Sequence, residues 1–409
     1  MKKTLVAMAA LASVSAFAQV SITGLVDLGY NRTDFKGKVV TTSAAPNGSA
    51  TTNFTFLISE DLGGGLKADA RWEIDPDLTS TVGKTSGTPA TGTTSNVTSF
   101  LGNGYSFLGL SGGFGAVKFG TINAATLSAN GEGNVGFGTA VGSGYRVTSF
   151  DAVRYQNSFR YDTPTMNGFS ASYLLSDKND MQTATSSTGQ TGNQVNQTGG
   201  RDKVSEIAFL YANGPLTARY AAIAMEQWGA IATTTYATGN GFTPLAWTAG
   251  TGAAFNLNTL SVNYKLGSAT ELGYFNQTAK SDLLVAAAAA TAGTVASPIA
   301  STTNKFDRKT NGFAASYTAG ATKFMANYQT VTNGDAATKR TATMAGATAK
   351  VIGLGVDYSV SKRSVIYGRY EKDTESGANA QGFRDTATPG YGATNSVYTA
   401  LAIGIRHNF

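Results

Sequence analysis

Two-residue alternation, repeated along nearly the whole chain, restricts this sequence more than any other feature. In Ile352-Gly-Leu354-Gly-Val356-Asp-Tyr358-Ser-Val360 one face is apolar and the other small or polar. The same split runs through Phe169–Tyr173, Leu260–Tyr264 and Phe324–Tyr328. Near the start, Ile22, Gly24, Val26, Leu28 and Tyr30 oppose Ser21, Thr23, Asp27 and Asn31, with Leu25 as the exception; near the end, Leu401, Ile403, Ile405 and Phe409 oppose Gly404, Arg406 and Asn408. Such a period belongs to strands, whose side chains point alternately to opposite faces. A soluble sandwich alternates too. Here the segments run to about ten residues and the apolar face often ends in Tyr or Phe, as in the aromatic girdles of membrane barrels.

The connections fall into two classes. Tight turns are expected at Asp61–Gly65, Ser111–Gly115, Thr163–Gly168, Asn213–Pro215, near Gly267, at Ala319-Gly320 and at Val360–Arg363. Long stretches rich in Thr, Ser, Gly and Asn lie between them, at 32–51, 77–98, 122–150, 177–201, 228–252, 280–306, 332–347 and 374–393. Eight long loops imply eight hairpins and therefore sixteen strands. The expected fold is all-β: a sixteen-stranded antiparallel transmembrane barrel with short periplasmic turns and long extracellular loops. A barrel of that size holds water rather than a packed core. Ser21–Asn31 is expected to close the ring against Tyr398–Phe409, since an open edge in lipid leaves backbone groups unsatisfied.

Residues 1–18 read as a separate export signal. Lys2 and Lys3 precede a short apolar run, Leu5–Ala12, and Ala16-Phe17-Ala18 fits the small-x-small cleavage rule, so the barrel domain is expected to span 19–409. No later stretch offers a convincing transmembrane helix. The best, Leu283–Val295, is alanine-dominated and short of the length needed, and reads as a loop with at most a short helix.

Composition excludes most chemistry. The chain has no cysteine and one histidine, and charged residues are 14%. Thiol catalysis, cysteine zinc sites and paired-histidine metal sites are therefore removed. A formal charge of +6, with two units on Lys2 and Lys3, is too mild and too interspersed with acids for nucleic acid. No enzyme activity, cofactor or metal is expected. Gly131-Glu-Gly133-Asn-Val-Gly136 matches a dinucleotide-binding pattern but lacks the strand–turn–helix context, so it reads as loop. His407 falls on the apolar, outward face of the last strand, two residues from Phe409, and reads as a girdle residue, since a general base would need a serine and an orienting polar partner beside it. Glu60 and Asp61 are adjacent at a turn and point to opposite faces.

The charges opposite the apolar faces carry the functional signal. Lys67, Asp69, Arg71, Glu73 and Asp75 share one face, against Ala68, Ala70, Trp72 and Ile74. Arg154, Gln156, Ser158, Arg160 and Asp162 oppose Tyr155, Phe159 and Tyr161. Arg or Lys facing lipid at the midplane costs roughly 2–4 kcal/mol, so the charged face must be the wet one. Asp27, Arg219, Arg369, Glu371 and Arg406 also oppose apolar neighbours. Arg71, Glu73, Arg154 and Arg160 are the preferred pore residues, with Asp27 and Arg219 elsewhere on the lumen wall.

Ser59–Ala68, Gly109–Gly112, Arg154–Ser158, Tyr211–Leu216, Asp357–Arg363 and the ending Gly404–Phe409 resemble the general porins of beta-proteobacteria, in the same order along nearly the whole mature chain. That resemblance implies a homotrimeric diffusion pore whose third long loop, 122–150, folds inward to narrow the channel. It also implies a role for Phe409 as the signal read by the barrel-assembly machinery, a surround of outer-membrane lipid and lipopolysaccharide, and small hydrophilic solutes as cargo. The inward loop is expected to face Arg71, Arg154 and Arg160, leaving Glu132 or Asp151 as the opposing charge. The chain departs from its anion-selective relatives where they carry arginines, at Asn53, Gly104 and Thr121 here, so weak charge selectivity is expected. A substrate-selective channel for a small organic solute, or a structural or adhesive barrel with a plugged lumen, are the alternatives.

Overall fold

The computed structural model describes residues 19–35, 38–46, 48–76, 78, 104–138, 140–145, 154–179, 201–228, 253–281, 306–333, 348–376 and 397–409. The expected export segment, 283–295, and Asp151 lie outside the described residues. The strands are β1 (Gln19–Phe35), β2 (Lys38–Pro46), β3 (Asn53–Gly63), β4 (Leu66–Ile74), β5 (Ser106–Gly112), β6 (Gly115–Asn123), β7 (Arg154–Asp162), β8 (Phe169–Asn179) and β9 (Arg201–Asn213). They continue as β10 (Leu216–Trp228), β11 (Ala253–Leu266), β12 (Thr270–Ser281), β13 (Phe306–Ala319), β14 (Thr322–Asn333), β15 (Thr348–Ser359), β16 (Ser364–Ser376) and β17 (Val397–Asn408). One helix, α1 (Ala125–Gly133), follows β6.

From β3 onward every strand pairs antiparallel with the next, and β17 returns to β1, closing the ring. Seventeen elements make sixteen staves, because β2 and β3 are two halves of one. β2 pairs with residues 28–35 of β1, and β3 with residues 19–25. The segment between them leaves the wall. This corrects the expected loop at 32–51. β1 runs on to Phe35 and β2 pairs back against it, with Arg32 bonded to Asp34 across one exposed face. Above the bilayer both faces of a strand are wet, so nothing requires an apolar alternation there.

The closing register runs from Leu25↔Asn408 to Phe35↔Tyr398, about four residues further along β1 than expected. Gly24 completes it by exchanging backbone hydrogen bonds with Phe409, N–H to O at 3.2 Å and 3.1 Å. The tight connections fall where the sequence placed them. Gly63, Gly64 and Gly65 all take positive φ at the β3–β4 turn, a conformation that costs glycine little.

Outward faces carry the apolar residues: Ile352, Leu354, Val356 and Tyr358 on β15, and Leu401, Ile403 and Ile405 on β17, are all exposed. Their rings gather near the short turns, where Phe169 packs on Tyr211 and Phe54 on Phe409. One strand breaks the alternation. Asn157 sits at φ 50°, and the pairing of β6 with β7 slips between Gly120 and Ile122. This is a bulge, one extra residue on one strand. It turns Tyr155 into the barrel, fully buried with Ile122, Leu174 and Val204. The expectation that Tyr155 faces outward with Phe159 and Tyr161 is corrected accordingly.

Candidate functional site: the lumen and its two walls

Beyond β6 the chain turns into the barrel. Ala124 precedes α1 and has no side chain to cap it. A carboxylate from the wall does so instead: Glu206 on β9 accepts the N–H of Ala125 at 2.7 Å, the N–H of Thr126 at 3.2 Å and the Thr126 hydroxyl at 3.1 Å. These are free donors of a helix N-terminus, where negative charge is also favoured. At the far end of α1, Glu132 pairs with Arg219 on β10 at 2.7 Å and accepts a hydrogen bond from Ser261 on β11 at 2.9 Å. The segment continues along the wall. Gln329 on β14 donates to Asn134 Oδ1 at 2.6 Å and to the Ser143 carbonyl. Asn327 donates to the Gly142 carbonyl, and Glu371 on β16 accepts the N–H groups of Gly142 and Gly144 at 2.8 and 3.1 Å.

Backbone lies so close to the wall because the wall is bare there. A Cβ on Gly273 would strike the Gly133 carbonyl, and one on Gly353 the Gly142 carbonyl. The small residues that alternate with Ile352, Leu354 and Val356 are therefore a track for the inserted segment. Phe137 and Val351 are fully buried in this contact, and Gly355 lies beneath Phe137.

A second inward segment, Gly48–Thr52, lies where β2 gives way to β3. Asp27 on β1 accepts the N–H groups of Ser49 and Ala50 at 2.8 and 2.6 Å and the Tyr367 hydroxyl at 2.5 Å. Ser49 Oγ in turn accepts from Arg369 at 3.1 Å and Arg406 at 2.8 Å. Both arginines pair with Asp357, at 2.7 and 3.5 Å. The Arg369 side chain is 0% exposed, and its guanidinium lies 5.9 Å from the Phe137 ring. Arg369 thus touches both inserted segments.

The staves from β4 to β7 present a different wall. Arg71 pairs with Glu73, and Arg154 reaches Glu73 at 3.1 Å and Asp75 at 3.0 Å. The Arg71 guanidinium also lies 5.2 Å from the Tyr105 ring, whose backbone N–H donates to Glu73. Further toward the turns, Asp162 holds Arg160 and Lys118, both at 2.8 Å. Asp69 accepts from Ser59 and Ser111. Asp75 lies just past the end of β4. Burial pushes its carboxyl up to about 6, Arg154 opposing the rise and Glu73 adding to it.

The structure therefore brings Arg71, Glu73 and Arg154 into one cluster, and sets Arg160 beside it with the Asn123 carbonyl and Asp162. Three expectations are corrected. Glu132 is bound to Arg219 rather than opposed to Arg71, Arg154 and Arg160. Asp27 is sealed beneath Ser49 and Ala50 and presents no charge to the lumen. Thr121 stands in register with Ser106, two residues from Leu108 on the outward face of β5, so it is not a lumen position. Asp151 lies outside the described residues. The residues missed are the anchors, Glu206, Gln329 and Asn327. Their signal was an inward acid or amide with no cation beside it in its own strand.

A family model for Gram-negative porins matches residues 4–378. The major outer membrane protein P.IB of Neisseria lactamica is 32% identical over 191 residues, 44% of this chain and 50% of that protein, and its counterpart in Neisseria gonorrhoeae is 31% identical over the same length. The matched stretch spans about half the length of these relatives. Among solved structures, the anion-selective porin from Comamonas acidovorans superposes with a TM-score of 0.65 at 20% identity, covering 96% of this chain and 100% of that one. The trimer form of OmpT, an outer membrane protein of Vibrio cholerae, superposes with a TM-score of 0.59 at 12% identity, over 96% and 99%.

Proposed function

The chain belongs to the Gram-negative porin family, and from that premise we propose that it forms a water-filled channel in the outer membrane through which small hydrophilic solutes and ions diffuse passively. One observation carries the reading. A closed barrel has its inserted segment bound to the β9–β16 wall, while a ladder of charges lines the β4–β7 wall that the segment leaves uncovered. The aperture between them is bounded by fixed dipoles and ions on one side and by polypeptide backbone on the other. Size exclusion comes from the insertion; any bias between ions comes from the ladder. No covalent step is involved.

In that ladder four cations have carboxylates: Arg71 and Arg154 with Glu73, Arg154 with Asp75, and Arg160 and Lys118 with Asp162. Paired charges produce fields that fall off faster than those of isolated arginines, and salt shortens their reach to roughly 10 Å at 0.1 M. Selectivity is accordingly weak. Asn53 replaces an arginine of anion-selective relatives with a neutral amide that donates to the Thr51 carbonyl. Gly104 cannot be replaced without moving Glu73, which a Cβ there would strike. The protein acts as a homotrimer in lipid and lipopolysaccharide, residues 1–18 direct its export, and Phe409, whose backbone is already paired with Gly24, serves as the assembly signal.

Single-channel recording in a planar bilayer tests the proposal. Stepwise conductance in simple salt is expected, with a reversal potential near zero in a salt gradient. Absence of conductance from a folded barrel would favour a plugged structural barrel. Saturation by one organic solute would favour a substrate-selective channel. Strong preference for chloride would place the field elsewhere than in the β4–β7 ladder.

A further inference from the structure

Among the charges of the open wall stand two aromatic rings. Phe107 on β5 is in register with Arg71 on β4 and with Gly120 on β6. The next residue, Leu108, is 65% exposed on the lipid face, and successive side chains alternate, so Phe107 points into the barrel. Tyr105, two residues back, lies 5.2 Å from it, ring centre to ring centre, at 40°. Other inward rings are sealed: Tyr155, Phe275 and Tyr367 are all buried. Tyr105 packs in part against the buried cluster around Ile122 and Tyr155. Phe107 joins no buried cluster among the described residues, and it is half-buried on a wall that the inserted segment leaves uncovered. An apolar ring gains nothing from contact with water.

Each ring has a cation beside it. The Arg71 guanidinium lies 5.2 Å from the Tyr105 ring centre and the Lys118 ammonium 5.2 Å from that of Phe107, within cation–π reach. Neither cation is saturated. Among the described residues Arg71 bonds Glu73 and Thr55 through Nη2 alone, which leaves Nη1 without a protein acceptor. Lys118 donates one hydrogen bond, to Asp162 at 2.8 Å, and an ammonium has three donors. The acids nearby are engaged. Glu73 holds Arg71, Arg154 and the Tyr105 N–H, Asp162 holds Lys118 and Arg160, and Asp69 accepts from the hydroxyls of Ser59 and Ser111. The floor beside Phe107 is bare. Gly120 faces it across β6, and Gly109, the next inward position along β5, is in register with Lys118. A Cβ on Gly120 would strike the Ser106 carbonyl, and one on Gly109 the Val117 carbonyl, so the backbone itself keeps both positions free of side chains.

We propose that this patch is a binding subsite for monocyclic aromatic carboxylates crossing the lumen. The solute's ring lies against Phe107, over Gly109 and Gly120, and its carboxylate takes the unused donors of Arg71 and Lys118. A carboxylate has two acceptor oxygens, so it engages both cations without displacing Glu73 or Asp162. An aromatic cation is repelled by the same two side chains, and an aliphatic acid offers no π-face. The inference rests on the channel reading and narrows it: the pore passes other small solutes and delays this class. A ring on Phe107 should be held roughly two- to tenfold more tightly than a saturated ring of the same size.

The test uses the folded full-length barrel in two measurements: single-channel current in a planar bilayer, and saturation-transfer NMR in detergent. Benzoate is expected to interrupt the current in brief events and to receive saturation from the protein. Cyclohexanecarboxylate, with the same charge and a saturated ring, should do both more weakly, by the two- to tenfold margin above. Benzyl alcohol and benzylammonium should do neither. Phe107→Leu should bring benzoate down to the level of cyclohexanecarboxylate. Phe107→Tyr should keep the preference, which separates loss of the ring from loss of the fold. Arg71→Gln should weaken both carboxylates several-fold and preserve their ratio. Phe119→Leu, which removes a ring from the lipid face, should change nothing. Equal retention of benzoate and cyclohexanecarboxylate by the unaltered protein, a preference that survives Phe107→Leu, or binding of benzylammonium would overturn the proposal. The channel reading fails separately. A barrel that conducts and shows no benzoate preference loses only the subsite; one that does not conduct, yet transfers saturation to benzoate through Phe107, loses only the channel.

Discussion

The β4–β7 wall and the β14–β17 wall are built from the same side chains and use them in opposite ways. On the first, Arg71 and Arg154 are 30% and 21% exposed and share Glu73, and Arg154 also holds Asp75. On the second, Arg369 is sealed against Asp357, Ser49 and two aromatic rings. Exposure decides the outcome. An ion pair that still touches water acts on passing ions and adds little to stability. A sealed one is invisible to solutes, but its removal strands the partner charge. Inward-facing charge in a barrel is thus two populations, one setting a field and the other holding the insertions that shape the aperture.

The largest test of that contrast is stability. Arg369→Met leaves Asp357 with only the longer contact to Arg406 and removes one of the two arginines bonded to Ser49, and is expected to cost about 3–5 kcal/mol. Arg71→Met, on the open wall, should cost at most about 1 kcal/mol. Denaturant unfolding of both variants in the same lipid reads the difference. Equal losses would mean that the two walls do not differ in the way their exposure indicates.

Next comes the insertion itself. Gly353→Leu places a side chain where the Gly142 carbonyl lies, and Glu206→Ala removes the acceptor for three donors at the start of α1. Either change should free part of the segment and raise open-channel conductance, on the order of twofold, because the constriction widens. A similar change on the open wall, Ser158→Ala, should leave the channel size as it is. Unchanged conductance in both wall variants would show that the segment is held by something other than these contacts.

How much of this was legible follows the same division. The outward face was readable residue by residue, because lipid punishes any departure from apolar alternation, and the turns were readable from their glycines and asparagines. The inward face was readable only as wet. Nothing in the period distinguishes Glu206, which caps a helix brought from elsewhere in the chain, from Glu73, which faces solution. The glycines between Ile352 and Val356 registered as merely small, although smallness there is what admits the Gly142 backbone. The inward course of 122–150 came from the resemblance and not from the residues. Tyr155 was misplaced because a single bulge at Asn157 inverts the period without altering composition. Strand β2 was missed because outside the bilayer there is no alternation to find.

Charge reversal on the open wall should have a smaller effect than moving the segment. Arg154→Glu replaces the partner of both Glu73 and Asp75, turning a compensated ladder into a negative one, and should shift selectivity several-fold toward cations. Arg369→Gln should leave reversal potentials unchanged in whatever fraction folds. A matching shift from the sealed arginine would erase the distinction between the walls.

The smallest expected effect is a titration. Asp75 is the open-wall carboxyl that lies beyond its strand, and burial has raised its proton affinity to a midpoint of about 6. The sign follows from the direction of the shift. Above that pH the group is ionised and offsets Arg154; as pH falls through it, the carboxyl takes up a proton, Arg154 loses part of its compensation, and the wall gains one positive unit. Reversal potentials measured from pH 7.5 to pH 5 should therefore drift toward anion preference, with half the change near pH 6. Asp75→Asn should sit at the low-pH value throughout and show no such midpoint. High salt should compress the drift, since the charge is partly hydrated and screened. If the midpoint persists in Asp75→Asn, another carboxyl of the open wall carries the titration, and Asp75 belongs with the sealed anchors rather than with the field.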